Sequence, residues 1–245
     1  MILLAVTANA QIVNIESARM QSDTVGWKGS AQMGFSYTKN TNKVLDFTTG
    51  AHLQYKSKKD LYLVLGNSEL LKNGGSSLIN NSFLHLRYNH KFTPRMRWEW
   101  FSQLQNNAVT GIEFRFLAGT GPRFKLTEGN AFRSYLGIAA MYEDERDKAA
   151  LLGSPSIHHR DARGNLYYSF SWKPEEGTEL ISTLFLQPKL FDIADYRVLE
   201  QFSFRIKPGQ HFSARFDVNY LFDTHPAPAQ PTTNFRVGTG IGYEL

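Results

Sequence analysis

The closing stretch, TNFRVGTGIGYEL from Thr233 to Leu245, constrains the fold more than any other part of the chain. Alternate positions carry Thr233, Phe235, Val237, Thr239, Ile241, Tyr243 and Leu245, and those between carry Asn234, Arg236, Gly238, Gly240, Gly242 and Glu244. Period two is a strand signature, and here it separates apolar from small or polar side chains. A strand in a soluble protein usually runs about five or six residues, whereas one tilted near 45° crosses the bilayer hydrocarbon in roughly nine to eleven. This stretch is long enough to cross. Within lipid no backbone donor or acceptor can be left unpaired, so the earlier chain must supply a closed barrel.

The same logic repeats along the chain. Val25–Tyr37 sets Trp27, Met33, Phe35 and Tyr37 against Lys28, Ser30 and Gln32, and Leu45–Tyr55 sets Leu45, Phe47, Leu53 and Tyr55 against Asp46, Thr48, His52 and Gln54. Leu61–Leu71 is the least clean: Leu61, Leu63 and Leu65 share a face while Tyr62 and Val64 blur the other. Asn81–Asn89, Met96–Gln105, a strand from Gly111 to Phe124, Phe132–Tyr142 and Asn165–Lys173 follow. Pro122 requires a place without a ladder donor, near the membrane edge. Thr178–Gln187 is apolar on both faces, which leaves its orientation open. In Tyr196–Lys207, parity would put Glu200 in lipid beside Val198, so a bulge near Leu199–Gln201 or a headgroup-level position is expected. His211–Phe222 alternates most cleanly, and the closing strand brings the count to twelve, an even number as a bacterial single-chain barrel requires.

Connections agree with this count. One alternating set, Ser57–Asp60, Lys91–Arg95, Lys125–Ala131, Pro174–Gly177 and Pro208–Gln210, is short and reads as periplasmic. The two longest links, Glu143–Ala162 and Asp223–Thr232, both fall in the other, external set. Glu143–Leu152 has helix-forming residues and is expected to form a short helix above the rim. The fold class is therefore all-β, a transmembrane up-and-down antiparallel barrel of about twelve strands. At the amino terminus, the apolar run Met1–Val6 and the small-x-small triplet Ala8-Asn9-Ala10 read as the back half of a signal peptide over 1–10. Residues 11–24 then form a periplasmic lead-in, and 25–245 the barrel.

Composition narrows the remaining choices. A net charge of +5, with few charges in runs, gives little support for nucleic acid as a partner. With no cysteine in the chain, disulfides and thiolate chemistry are excluded. The inward parity set includes Arg97, Glu99, Glu113, Arg115, Arg123, Arg205, Arg215, Asp217 and Arg236 as candidate lumen-lining residues. Arginine forks can hold carboxylates on neighbouring strands, and Glu99 with Arg115, Glu113 with Arg97 and Asp217 with Arg236 are the expected pairs. Such pairs either fill and fasten the wall or leave a basic constriction that favours anions. A narrow passive pore for small polar or anionic solutes is one reading, and a structural or surface-interaction barrel without transport the other. Eight strands leave a filled interior and about sixteen an open channel; twelve lies between.

Catalysis finds little purchase. His52 and His85 are inward by parity, but no nucleophile stands in a recognisable elbow or oxyanion arrangement, which leaves an outer-membrane lipid hydrolase as a remote alternative and no expected cofactor. The external stretch EDERDKAALLGSPSIHHRDAR brings acids together with His158 and His159, though adjacent histidines do not share a face in a regular element.

The order of these segments resembles a family of bacterial outer-membrane β-barrels called salt-induced outer-membrane proteins, a domain of unknown function. The resemblance lies in ESARMQSDTVGWKGSAQMGFSYTKNTNK at 16–43, HLQYKSKKDLYLVLGN at 52–67, NNSFLHLRYNHK at 80–91, RWEWFSQLQNNAVTGIEFRFLAGTGPRFKL at 97–126 and YLGIAAMYEDE at 135–145. Within it, Gly119-Thr120-Gly121-Pro122-Arg123 is the most specific run. The resemblance implies a β-barrel in the cell outer membrane of a Gram-negative bacterium. For such a barrel the expected state is a monomer, and the expected partners are membrane lipids, lipopolysaccharide and the barrel-assembly machinery. The resemblance implies no substrate and no catalytic residues. Strands of such proteins commonly end in Phe, where this chain has Leu245.

Overall fold

The computed structural model describes residues 15, 25–40, 43–74, 76–149, 156–209 and 211–243. The expected signal peptide, and the lead-in apart from Ile15, lie outside them, as does Leu245. Twelve strands follow one another as β1 (Gly26–Lys39), β2 (Lys43–Lys56), β3 (Asp60–Asn73), β4 (Ser76–Lys91), β5 (Met96–Asn107), β6 (Ile112–Glu128), β7 (Phe132–Asp147), β8 (Ile157–Trp172), β9 (Thr178–Lys189), β10 (Asp192–Ile206), β11 (Phe212–Asp223) and β12 (Thr233–Tyr243). They form one sheet in the order β1 to β12, each strand antiparallel to the next. The up-and-down architecture expected from the alternation is thus present.

Two ends can be told apart by their connections. At the turn end the links are brief, and at the loop end stand the two longest, 148–156 and 224–232. The outer face is apolar over most of its height: Phe35, Leu84, Trp100, Leu104, Ile138, Leu166, Leu184, Phe216 and Ile241 are all exposed there. So much apolar surface suits lipid, and in water it would drive association. Near the turn end an aromatic row crosses five strands in register, Trp27↔Tyr55↔Tyr62↔Tyr88↔Trp100. Neighbouring ring centroids in that row lie 4.9, 6.3, 4.8 and 5.3 Å apart. A row of amphipathic rings at one height is how barrels mark a membrane interface. Pro122, opposite Trp98, sits at the level of this row, and the β6–β7 register has no partner for it or for Gly121.

Several local expectations are corrected. Residues 143–147 are strand, not helix: β7 runs on to Asp147, and its partner β8 begins at Ile157. Inward acids at every second position give Glu143–Asp147 the period of a strand, which outweighs helix propensity. No bulge interrupts Leu199–Gln201, where β10 keeps its register with both neighbours. The irregularity falls earlier, between Asp192 and Tyr196. Glu200 stays on the outer face and accepts a 2.7 Å hydrogen bond from the Ser182 hydroxyl, which offsets part of the cost of a carboxyl group there. Thr178–Gln187 resolves with Ile181, Thr183, Phe185 and Gln187 inward and Leu184 and Leu186 outward.

Among the described residues, β1 pairs only with β2 and β12 only with β11. Two free strand edges in lipid would leave backbone groups unpaired at several kcal/mol each, so in a bilayer β1 is expected to pair with β12. Cysteines placed pairwise on Gly29–Tyr37 and Val237–Tyr243, in a chain that has none of its own, should cross-link in one antiparallel register. A folded protein in which every such pair stays reduced would be an open sheet.

Candidate functional site

Strand parity turns two groups of charged side chains into the lumen. The first lies toward the turn end. Glu99 on β5 accepts from the Tyr167 hydroxyl of β8 at 2.5 Å and pairs with Arg87 of β4 at 3.3 Å and Arg123 of β6 at 3.8 Å. Arg123 also donates to Tyr167 at 3.0 Å and lies 4.0 Å over the Tyr135 ring. Arg87 donates to His85 at 3.3 Å, and the other nitrogen of that ring meets Gln103 at 3.2 Å. Gly137 makes room for this arrangement, since a Cβ there would run into the Tyr167 ring.

A second and larger group fills the loop end. Arg197 of β10 reaches Glu143 at 2.7 Å, Glu145 at 3.3 Å and Asp223 at 2.7 Å. Arg163 of β8 reaches Asp195 at 2.9 Å, Glu143 at 3.4 Å and Asp161 at 3.8 Å. Arg115 is bonded to Glu145, and Lys189 to Asp161 at 2.7 Å. Apolar side chains share this wall, with Tyr167, Phe185 and Leu199 forming one buried cluster. In effect the inner face of β5–β10 is packed as a protein core.

The link 224–232 adds to the filling. Its Pro226, Ala227, Gln230 and Pro231 border, together with Arg115, Glu145, Arg197 and Asp223, a small cavity of ≈ 50 Å³. A Cβ on Gly111, which has φ +76°, would meet Gln230 and Ala227, so this link bends over the loop end as far as the β5–β6 connection. By contrast the inner faces of β1 and β12, and those of β2 and β11 apart from buried Gln54 and Asp223 and the packed Leu221, carry mostly short or flexible groups and are more open. Ser30, Gln32 and Lys28 remain exposed there, next to Gly50 and His52 of β2.

The candidate residues divide between these regions. Glu99, Arg115 and Arg123 are buried in the networks, and Arg97 is half-buried opposite Arg123. Arg205 stands 3.9 Å from Glu179, Arg215 contacts Asp217 at 2.5 Å, and Arg236 lies opposite Asn219 on the open wall. Glu113 departs from its expected place. It is the extra residue of a bulge between Ile112 and Phe114, is exposed, and accepts from Ser156 at 3.0 Å. Among the described residues the register brings none of the three expected pairs face to face. Glu99 stands opposite Gly121 instead of Arg115, Glu113 has left the inner face, and Arg236 is offset from Asp217 by two residues.

An arginine excess also fails in the filled half. Seven carboxylates (Glu99, Glu143, Glu145, Asp147, Asp161, Asp195 and Asp223) are buried against five arginines (Arg87, Arg115, Arg123, Arg163 and Arg197). Six of these acids fall outside the strands expected from parity, three of them because β7 was expected to end at Tyr142 and the others because β8, β10 and β11 reach further toward the loop end than expected. A signal was there: Glu143, Glu145 and Asp147 continue the inward positions of Met141. Outward Asp144, Arg146, His158 and Arg160 are polar as well, so the apolar alternation had stopped.

The acids and histidines of the external stretch are divided between the two faces of the β7–β8 hairpin. His158 pairs with Asp144 at 2.6 Å and His159 with Asp147 at 3.2 Å, and adjacent strand residues face opposite ways. Among the described residues no three metal-ligating side chains gather. At the turn end Asp60 binds Tyr88 and His90, each at 2.8 Å, and accepts from Ser57 at 3.1 Å. There the carboxylate is the hub. A base-activated hydroxyl would need the imidazole between acid and serine.

No curated protein matches the chain. Among solved structures it is similar to the NanC porin, with 10% identity and a TM-score of 0.46 over 88% of this chain and 99% of that one. The translocator domain of the autotransporter NalP from Neisseria meningitidis gives 11% identity and a TM-score of 0.46, over 94% and 92%. The siderophore receptor PirA from Pseudomonas aeruginosa gives 12% and 0.40, over 91% of this chain and 47% of the receptor. One family model matches residues 31–245, which is nearly the whole described barrel. By that match, the chain belongs to the family described as protein of unknown function, DUF481.

Proposed function

We propose that the protein is a barrel of the outer membrane that serves as a narrow passive passage for small polar solutes. The observation that carries this reading is the asymmetry of the lumen. One wall, β5–β10, is filled by ion pairs and packed side chains, while the wall formed by β1, β2, β11 and β12 presents Ser30, Gln32, Gly238 and Gly240 to open space. Short polar groups and bare backbone suit the passage of hydrated solutes. Charge preference should be weak. Arg215, Arg236 and Lys28 line the open wall with Asp46 and Asp217, and the buried carboxylates outnumber the buried arginines. The narrower reading of an anion-favouring pore therefore loses its main support.

Planar-bilayer conductance of the purified protein under a salt gradient tests the proposal. Small, reproducible current steps with a reversal potential near zero are expected. Neutralising Arg97 and Arg115 together should lower stability more than it moves the reversal potential, because Arg115 is tied to Glu145. Silence at every voltage, matching a denatured control, would reject passage. Weight would then move to a structural or surface-interaction barrel, a reading favoured by the filled wall and the bent-over link 224–232.

A further inference from the structure

Three features of the outer face coincide over one sector of the barrel, β2–β6 near the turn end. The aromatic row from Trp27 to Trp100 is the first. Beside it lies an apolar groove of ≈ 700 Å³ across β3–β7, within the range of about 300–1,000 Å³ for small-molecule sites. Register places Tyr62, Tyr88 and Trp100 along its turn-end side and Leu86 along the other, while Ala118 and Ala140 leave it deep over β6 and β7. The third feature is charge. The turns 57–59 and 92–95 meet through the Lys91 N–H, which donates to the Lys59 carbonyl at 2.8 Å, and Lys58, Lys59 and Arg95 are exposed on them. Neither turn contains an acid, and Asp60, which follows the first, is already held by Ser57, Tyr88 and His90. Further round the sheet the 173–177 turn carries Glu175 and Glu176, so a basic surface is not common to every turn.

We propose that this sector is a binding site for one anionic phospholipid, its phosphate on Lys58, Lys59 and Arg95 and an acyl chain in the groove. Depth supports the pairing. Lys59 stands three residues before Tyr62, a path of about 10 Å along the strand and about 7 Å of depth at a tilt near 45°. The layer of a bilayer that separates charged headgroups from hydrocarbon is about 5–8 Å thick. Cations at the turns and rings at the edge of the groove are therefore spaced as a lipid's phosphate and the start of its chains, with the rings at the boundary they favour. Phe92, 61% exposed on the 92–95 turn, is a further apolar group at the level of the interface. A neutral lipid would fill the groove equally well, and the three cations are what select an anionic one. A second copy of the chain is the poorer occupant, because a two-fold contact through this patch would bring the same cations against each other. The site does not depend on whether solutes pass through the lumen.

Tryptophan quenching by brominated lipid tests the site in the folded, full-length protein. Trp98 and Trp100 stand together at the groove, and Trp27→Phe with Trp172→Phe leaves them as the only reporters. In phosphatidylcholine vesicles, a minor share of brominated phosphatidylglycerol should quench them more than the same share of brominated phosphatidylcholine. Each cation near an anionic surface contributes about a five-fold factor. Lys58→Gln, Lys59→Gln and Arg95→Gln combined should therefore lower the relative affinity for phosphatidylglycerol about a hundred-fold and abolish the difference. Ala118→Leu with Ala140→Leu fills the groove from the lipid side and should shrink the difference with the cations intact. Unchanged strand content by circular dichroism confirms that each variant has folded. Equal quenching by the two lipids before any of these changes would overturn the site, as would a preference that survives loss of the three cations. A preference that the glutamines remove but groove filling leaves intact would be diffuse attraction of headgroups, and would overturn the seated chain. If neither brominated lipid quenches and the protein is a dimer in detergent, the groove belongs to a second copy and the lipid site is wrong.

Discussion

Replacing Arg197 by methionine is expected to cost about 3–5 kcal/mol of folding stability, the range for removing one partner from a buried ion pair. The guanidinium holds Glu143, Glu145 and Asp223 at 2.7–3.3 Å, with its side chain only 7% exposed. Methionine restores most of the volume, so the loss isolates charge. Three carboxylates would face one another across β7 and β11 with Arg163 and Arg115 as the nearest remaining cations. Reversible unfolding titrations in lipid vesicles measure the difference. Arg215→Gln is the internal control: its side chain is about half exposed and its contact is with Asp217 two residues along the same strand, a pair worth about 1 kcal/mol or less. If both substitutions cost the same, the loop-end network does not fasten β7, β10 and β11 together.

How much of this was legible in the sequence depends on what each stretch faces. Where one face meets lipid and the other water, as in β11 and β12, period two is clean, and the faces of Phe216 and Arg215 could be read directly. Where the inner face is itself a packed core, alternation fades. Leu61, Leu63 and Leu65 belong to the lumen together with Ile181, Phe185 and Leu199, and all are buried. A hydropathy pattern cannot tell such residues from lipid-facing ones. Beyond the bilayer the opposite confusion arises, because both faces of the β7–β8 extension are charged and period two survives only in the acids. Sequence parity also advances in whole residues. The single extra residue at Glu113 therefore reverses its own face and that of Ile112 without any composition to announce it. Charge pairing was the least legible part. It depends on which residues stand opposite one another, and a register fixed by hydrogen bonds put Gly121, not Arg115, across from Glu99.

Introducing a charge on the outer face tests that assignment most severely. Phe216 lies near the middle of β11, is 37% exposed, and packs edge-on against Phe202 of β10 at 6.5 Å. Its register partners, Phe204 and Thr239, share its outward direction. Phe216→Arg should cost about 2–4 kcal/mol if the site is close to the bilayer midplane. That is a factor of roughly thirty to nearly a thousand in the folding equilibrium. The penalty comes from dehydrating a guanidinium, which exceeds what the lost aromatic contact alone removes. Phe216→Ala separates the two contributions, because it deletes the ring without adding charge. Its effect should be the smaller and should not depend on the thickness of the membrane. The arginine penalty, in contrast, should shrink in shorter-chain lipid, where the side chain can reach the headgroups more easily. Equal tolerance of Phe216→Arg and Arg215→Gln across lipids would mean that the apolar face of β11 does not meet the bilayer. The outer and inner walls would then have to be exchanged along β10–β12, and the open polar wall that carries the proposed passage would lose two of its strands.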